Sequence, residues 1–325
     1  MNFSIVIPLY NKAPYVEETL LSVINQTKLP SELIIVDDKS TDGSLQIVKA
    51  FLDNTPPSFN DVDIKIIELA ENRGPGFARN IGFQKTSGDF VSFLDADDLY
   101  HPQLVQKANQ LATQQHIDFL VIGIQLFPSN IERPKISTLN GELTPVAKDA
   151  YLLEQPLKPI TSHEFVMGTG SNVFVKRKWM NSTSYVENAS FNEANDFWYR
   201  VLKVVLSNEN TRVALLMGNH IRVREVQGSL SRLKYSNWNQ IEVPPIYTRN
   251  HKSMNRYDRL FMNVICNRWI KHAMRNLTSK RQKLIFIFKY RSILLEQLCY
   301  FFLEQYTNSL NRRSQLKSEL HFIGT

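Results

Sequence analysis

Along the first 125 positions, short continuous apolar runs alternate with stretches in which apolar residues recur every three or four positions. Residues 4–9 form a β-rich run, then Val16, Leu20, Val23 and Ile24 recur at helical spacing within 14–26, and residues 33–36 form a second run. This is a βαβ unit. Helical stretches follow at 43–52, 76–85 and 102–115, interleaved with apolar runs at 64–69, 90–94 and 119–126. Runs that are apolar on both faces and joined by helices predict an α/β fold with a mainly parallel sheet covered on either side. In such sheets ligands bind beyond the carboxyl ends of the strands.

The pattern then loosens. Residues 127–165, punctuated by Pro128, Pro134, Pro145, Pro156 and Pro159, read as irregular. A strand is expected at 170–176, a helix at 196–206 and a strand at 212–216. After Ser231, a loop containing Pro244 and Pro245 leads into two helices, expected at 257–275 and 280–306. A boundary near residue 235 divides a sheet-containing domain, 1–235, from a mainly helical region, 236–325.

Composition agrees with a folded chain. Its 325 residues, 43% hydrophobic and 21% charged, exclude disordered, collagen-like and coiled-coil classes. The net charge of +7 is unevenly placed: residues 1–229 carry 21 Lys and Arg against 26 Asp and Glu, and residues 230–325 carry 17 against 5. The basic region either attracts a polyanion (nucleic acid, an anionic membrane or an anionic glycan) or forms a solvated helix face. Cys266 and Cys299 support no disulfide framework and have no C-x-x-C spacing, so a reducing compartment is expected. The start, MNFSIVIPLYNK, does not read as a signal peptide, so the mature chain is expected to begin near Met1 and to be cytoplasmic. No run of about 18 uncharged apolar residues is present. The nearest, 284–303, is interrupted by Lys289, Arg291 and Glu296, so it reads either as an amphipathic helix lying on a membrane or partner or as a helix packed on its own domain.

Polar residues gather where the predicted strands end: Pro8, Tyr10 and Asn11, then Asp37 and Asp38, then Asn72 and Arg73, then Asp95, Asp97 and Asp98. These groups should converge on one edge of the sheet. Carboxylates at D-x-D spacing need a counter-charge. A divalent Mg²⁺ or Mn²⁺ suits such hard oxygen donors and completes its shell with substrate phosphates. Alternatively, Asp97 or Asp98 caps the helix that starts near Pro102. For Asp42, a turn or cap role is expected.

The order SIVIPLYN, QT, LIIVDDKSTDGS and ENRGPGFARNIGFQKTSGDFVSFLDADD, spanning residues 3 to 125, resembles the family 2 glycosyltransferases of the bacterial surface-polysaccharide type, which have the Rossmann-like GT-A fold. The resemblance implies a nucleotide-sugar donor, a UDP-sugar above all, and a metal-dependent, inverting transfer to an acceptor hydroxyl of a glycan or lipid-linked saccharide. By the same resemblance Asp38 matches the acid that reads the nucleotide base, while Pro8 and Tyr10 match the strand-end wall beside Asn11. Asp95 and Asp97 match the D-x-D that contacts ribose and metal, with Asp97 nearest the metal. Arg73 and Arg79 match donor-side residues, although Arg79 and Asn80 also suit a purely structural role knitting helix to sheet.

The catalytic base is harder to place. An inverting transferase needs a group that takes the acceptor proton while the oxygen attacks the anomeric carbon. Family members commonly read E-D-x-x-F-W-x-R, with the Asp as base. Here residues 193–200 read Glu193, Ala194, Asn195, Asp196, Phe197, Trp198, Tyr199, Arg200, which puts Ala194 at the base position. Three readings stay open: Glu193 or Asp196 serves from a neighbouring position, the alignment slips by two residues, or the enzyme is impaired. On a helix, Asp196 lies about 200° from Ala194, so Glu193 needs less movement. Further on, RVREVQGSLSR resembles the segment that closes over the donor phosphates. Arg222 and Arg224 either pair with a diphosphate or lie on the surface beside a strand. His220 is the one histidine near that stretch, and His163, Cys266 and Cys299 read as structural.

Two other classes compete with this reading. One is a nucleotide-sugar or glycan binding protein that has lost catalysis, motivated by Ala194. The other is a basic nucleic-acid binder, which no stacking platform or reading motif supports. A Rossmann dehydrogenase is disfavoured because no G-x-G-x-x-G follows the first strand.

Overall fold

The computed structural model describes residues 1–135, 143–161, 169–187, 192–226, 233–248 and 254–296, together with residues 139, 165, 167 and 189. His163, Cys299, residues 227–232 of the RVREVQGSLSR segment and the end of the helix expected over 280–306 lie outside them.

The first half alternates as expected: β1 (Phe3–Leu9), α1 (Val16–Ile24), β2 (Glu32–Asp37), α2 (Ser44–Leu52), β3 (Asp63–Glu68), α3 (Pro75–Gln84), β4 (Phe90–Phe93), the two-residue β5 (Leu99–Tyr100), α4 (Leu104–Gln114) and β6 (Phe119–Phe127). The second half adds β7 (Ile131–Arg133), β8 (Leu143–Ala147), β9 (Ala150–Leu153), α5 (Leu157–Ile160), β10 (Val173–Lys176), α6 (Glu193–Leu206), β11 (Val213–Arg224), α7 (Pro245–Thr248), α8 (Arg256–Asn276) and α9 (Lys280–Lys289).

One mixed sheet runs β3-β2-β1-β4-β10-β6-β11-β9-β8, with β5 on β11 and β7 on β6. The block β3-β2-β1-β4 is parallel, as is the pair β6 and β11, and antiparallel β10 is inserted between the two. Alternation along the strands sorts the core into two layers. Ile5, Ile7, Leu33 and Ile35 pack with Leu20 of α1, Val48 of α2 and Leu104 of α4. Val6, Ile34, Val36 and Phe93 face the other way, onto Ala78 of α3 and Phe197 and Trp198 of α6. Both faces are therefore covered, which is why β1 and β2 are buried nearly throughout and residues 5–7 and 33–36 are apolar without alternation.

Three expectations about the second half are corrected. Residues 127–165 are not irregular: their described residues contain three strands and a short helix, and Pro145 sits in β8, at the end of the strand order, where a missing N–H donor is tolerated. The helix expected from 196 starts at Glu193, after Asn192 in a left-handed conformation (φ 56°). The strand expected at 212–216 continues to Arg224 through a register shift between Leu216 and Ile221. Gly218 (φ 103°) carries that shift, and its carbonyl oxygen would lie 2.4 Å from a Cβ on Gly123 of β6, so the crossing needs glycine on both strands.

The helices after residue 235 share the core of the sheet. Tyr199 of α6 stacks on Phe261 of α8 with ring centroids 4.0 Å apart, and its hydroxyl donates to Asp258 at 2.9 Å. Trp269 of α8 packs on Phe286 of α9 at 4.8 Å. One apolar cluster runs from Val6 through Trp198 to Trp269 and Phe286. The helix expected from 280 is broken at Tyr290, which caps α9.

Candidate functional site

The ends of β1, β2 and β4 and the loop after β3 meet at one edge of the sheet. Asn11, just past β1, adopts φ 49°, and its backbone N–H donates to Ser40 Oγ at 3.1 Å while its side-chain oxygen accepts from Thr41 N at 2.8 Å. Lys12 N donates to Ser44 Oγ at 2.7 Å. Asp42 accepts from Ala13 N and Ser44 N, each at 3.0 Å, which is the turn role expected of it. These bonds pin the strand-end loop. Pro8 pairs with Val36 in the ladder, and Tyr10 stands out from the edge, 44% exposed. An exposed tyrosine on a pinned backbone is a flat surface for a planar ring.

Asp38 is buried beneath this edge. Its two carboxylate oxygens accept from the backbone N–H groups of Arg73 at 2.8 Å and Gly74 at 2.7 Å. Burial raises its pKa, opposed by those two donors. Arg73 leaves its guanidinium at the surface, 3.6 Å from the ring centre of Phe77 and paired with Glu187 at 2.9 Å.

The D-A-D segment follows β4. Asp95 N donates to Ser171 Oγ at 3.0 Å, and Ser171 Oγ donates to Asp98 at 2.7 Å. Asp98 is fully buried, holds the backbone N–H of Arg224 at 3.1 Å, and is pushed well up by burial and by Asp95 and Asp97, so it serves as an internal brace. The counter-charges of the other two acids come from the chain itself. Arg79 Nη2 donates to Asp95 Oδ1 at 2.6 Å, and Lys12 Nζ pairs with Asp97 Oδ2. Burial raises the pKa of Asp97, opposed by Lys12.

Arg79 is the hub. Its guanidinium is buried, lies 5.1 Å from the ring centre of Tyr185, and its Nη1 donates to Glu193 Oε1 at 3.3 Å. Glu193, in the first turn of α6, is thereby joined to the D-x-D through a single side chain. Burial raises its pKa, opposed by Arg79. Ala194 is turned into the apolar core. Asp196 is also buried, and its Oδ2 accepts from Arg200 Nε at 2.9 Å, while Arg200 Nη2 donates to Ser184 O at 2.7 Å. The fold thus brings Glu193, but not Asp196, into the ion-pair network of the D-x-D.

The two β11 arginines separate. Arg224 Nε donates to the carbonyl oxygen of Asp97 at 3.1 Å, while Arg222 is exposed and lines a cleft of about 360 Å³ with Glu18, Tyr100 and His101. Both stack on Phe127, at 4.5 and 4.6 Å. His220 pairs with Asp149 at 3.3 Å rather than with the D-x-D. Among the described residues no cluster of three or more His, Cys, Asp or Glu side chains is arranged around a common point.

A divalent ion nevertheless fits the donor set. Asp95 and Asp97 offer hard oxygen donors, few protein ligands suffice for Mg²⁺ or Mn²⁺, and space is reserved: a Cβ on Gly170 (φ 90°) would lie 2.5 Å from Asp95 Oδ2. Sequence reasoning missed Lys12, Gly170, Ser171 and Tyr185. The last three arrive on the segments flanking β10, the strand expected at 170–176, whose antiparallel direction a mainly parallel sheet did not lead one to expect.

The family model described as glycosyl transferase family 2 matches residues 4–181. An uncharacterized glycosyltransferase of Haemophilus influenzae is 37% identical over 114 residues, 35% of this chain and 43% of that protein. The poly(ribitol-phosphate) beta-N-acetylglucosaminyltransferase TarS of Staphylococcus aureus is 35% identical over 128 residues, 38% of this chain and 21% of that protein. The chain spans less than half the length of these curated relatives. A crystal structure of S. aureus TarS residues 1–349 in complex with UDP-GlcNAc superposes with a TM-score of 0.61 at 21% identity, covering 92% of this chain and 88% of that one. This likeness establishes the GT-A fold.

Proposed function

Because the chain belongs to glycosyl transferase family 2, we propose that it moves a sugar from a UDP-sugar to an acceptor hydroxyl of a glycan or lipid-linked saccharide, with inversion at the anomeric carbon. The observation that carries this reading is the Arg79 bridge, which ties Asp95 of the D-x-D to Glu193. Tyr10, Pro8 and Asn11 form the wall for the base, and Asp38, braced by Arg73 and Gly74, accepts the N3 hydrogen of a uracil. A UDP-sugar is the preferred donor because the TarS fold neighbour holds UDP-GlcNAc.

Asp95 and Asp97 would hold Mn²⁺ or Mg²⁺, which supplies positive charge to the diphosphate leaving group. Arg224, fixed on the Asp97 carbonyl, adds a fork suited to phosphate oxygens, and Arg222 lies further out on the same strand. Glu193 is the base. The acceptor oxygen attacks the anomeric carbon, its proton passes to Glu193, and the bond from the anomeric carbon to the diphosphate breaks with its electron pair on the phosphate oxygen. Asp196, neutralised by Arg200, orients the first turn of α6.

The basic helices carry the membrane part of this reading. No helix among the described residues is long and apolar enough to cross a membrane. The inner side of α9 is already occupied, with Phe286 against Trp269, yet Leu284 and Phe288 are 67% and 70% exposed on its outer side, and Ile287 and Leu295 are exposed with them. Exposed Lys280, Arg281, Lys289 and Arg291 flank them. An apolar strip rimmed by cations fits the anionic inner face of the cytoplasmic membrane, where each basic residue contributes about 1 kcal/mol.

Turnover of UDP-sugars by the native chain, by Glu193→Gln and by Ala194→Asp tests the chemistry. Loss of transfer in Glu193→Gln with UDP affinity kept supports the assignment. No native turnover, restored by Ala194→Asp, overturns it in favour of a donor-binding chain without catalysis.

A further inference from the structure

Lys12 is a cation that the donor-site reading does not use. Its backbone is pinned by Ser44 at 2.7 Å and the preceding residue by Ser40 at 3.1 Å, so only its flexible stem is free to move. Its ammonium pairs with Asp97 Oδ2, and the pair is largely withdrawn from solvent. The residues meet across 85 positions of chain, at the point where a divalent cation and a diphosphate are proposed to sit. A divalent ion bound by Asp97 sets a second positive charge against that ammonium, so the two repel each other and compete for the same carboxylate.

We infer that Lys12 is the built-in counter-ion of Asp97 in the donor-free chain and becomes a ligand of the donor diphosphate once Asp97 is engaged by a divalent cation. This rests on the proposed donor site. Three consequences follow. The donor-free chain holds a divalent cation weakly, because the Lys12 ammonium repels it and competes with it for Asp97. Nucleotide diphosphate and cation bind cooperatively, because the displaced ammonium gains phosphate oxygens when both are present. The gain is confined to ligands with a diphosphate, since a nucleoside offers the lysine no partner.

The test is Mn²⁺ binding followed by the loss of the free-ion electron paramagnetic resonance signal, without and with UDP, on the native chain, Lys12→Met, Lys12→Arg and Asp97→Asn. Calorimetry of UDP and of uridine on the same proteins completes it. Lys12→Met should bind Mn²⁺ without nucleotide roughly tenfold more tightly than the native chain, and UDP with Mn²⁺ roughly tenfold more weakly, the range of one charged hydrogen bond. Uridine affinity should not change, and Lys12→Arg should stay close to native. If Lys12→Met leaves nucleotide-free Mn²⁺ affinity unchanged while Asp97→Asn abolishes Mn²⁺ binding, the inference fails and the metal site stands. An equal fall in UDP and uridine affinity also overturns it. If Asp97→Asn binds Mn²⁺ and UDP as the native chain does, the donor-site reading and the inference fall together.

Discussion

Arg79 and Glu193, 114 residues apart in the chain, form a buried ion pair with Nη1 donating to Oε1 at 3.3 Å. The pair couples helix α3 to helix α6 and sets two opposing influences on one carboxyl. Burial pushes the pKa of Glu193 above its ordinary 4.5, and Arg79 pulls it back.

A pH profile follows from that balance. Glu193 acts as a base only when ionised, so kcat/KM should rise with pH through a limb lying above 4.5. Arg79→Gln removes the influence that favours the carboxylate and should move the limb to higher pH. Glu193→Gln should lower kcat by about 10²-fold or more with UDP affinity kept. Asp196→Asn should instead lower thermal stability, since it leaves Arg200 without its buried partner. Steady-state kinetics across pH on the first two variants and thermal unfolding of the third check these outcomes.

The acid limb of stability should be dominated by Glu32. Despite its burial, hydrogen bonds from Ser4, Ser87 and Gly88 hold its pKa down to about 2, against an ordinary 4.5. A depressed folded pKa contributes stability that is fully present above 4.5 and is lost as pH falls from there toward 2. Glu32→Gln should cost about 2–3 kcal/mol at pH 7 and flatten this limb. Urea unfolding at a series of pH values measures both.

Gly170 is a steric test of the D-x-D. A Cβ there would lie 2.5 Å from Asp95 Oδ2 and 2.9 Å from Arg79 Nη2, on a backbone with φ 90°. Gly170→Ala should weaken UDP binding in the presence of Mn²⁺ by about tenfold or more, since misplacing a binding group by an ångström costs that much or more. Gly43, also at positive φ (88°) but with open space around it, is the control: Gly43→Ala should cost about 1–2 kcal/mol of stability through backbone strain and leave UDP affinity unchanged.

The two sides of the C-terminal helices should respond differently. Leu284→Gln with Phe288→Gln removes exposed apolar surface and should abolish sedimentation with anionic vesicles while leaving the unfolding midpoint unchanged. Trp269→Ala opens the core that α8 and α9 share with the sheet and should cost about 3–5 kcal/mol. Deleting everything after residue 235 should therefore destabilise α6 as well as removing the proposed membrane-facing strip, because Tyr199 stacks on Phe261.

The parallel half of the sheet was legible because each strand carries an uninterrupted apolar run and ends in polar residues, as Ile7 and Leu9 lead to Tyr10 and Asn11. The antiparallel insertion of β10 was not, because Val173, Phe174 and Val175 have the same apolar pattern whichever way the strand runs. That hid Gly170 and Ser171 from any reading of the D-x-D. The start of α6 at Glu193, three residues before the expected 196, was not legible because the helix begins after Asn192 in a left-handed conformation that no apolar pattern signals. The far half of β11 was hidden by Gly218, whose bulge interrupts the apolar run. Lys12 gave no signal, since its partner lies on another strand end.

Calorimetric titration of UDP, first with Mn²⁺ and then with excess chelator, on the native chain and on Asp97→Ala, puts the donor site to the test. A donor site built from Asp38, Asp95 and Asp97 requires binding that depends on Mn²⁺ and is lost in the variant. Binding of equal strength with chelator and in Asp97→Ala, or no binding of UDP under any condition, would contradict it.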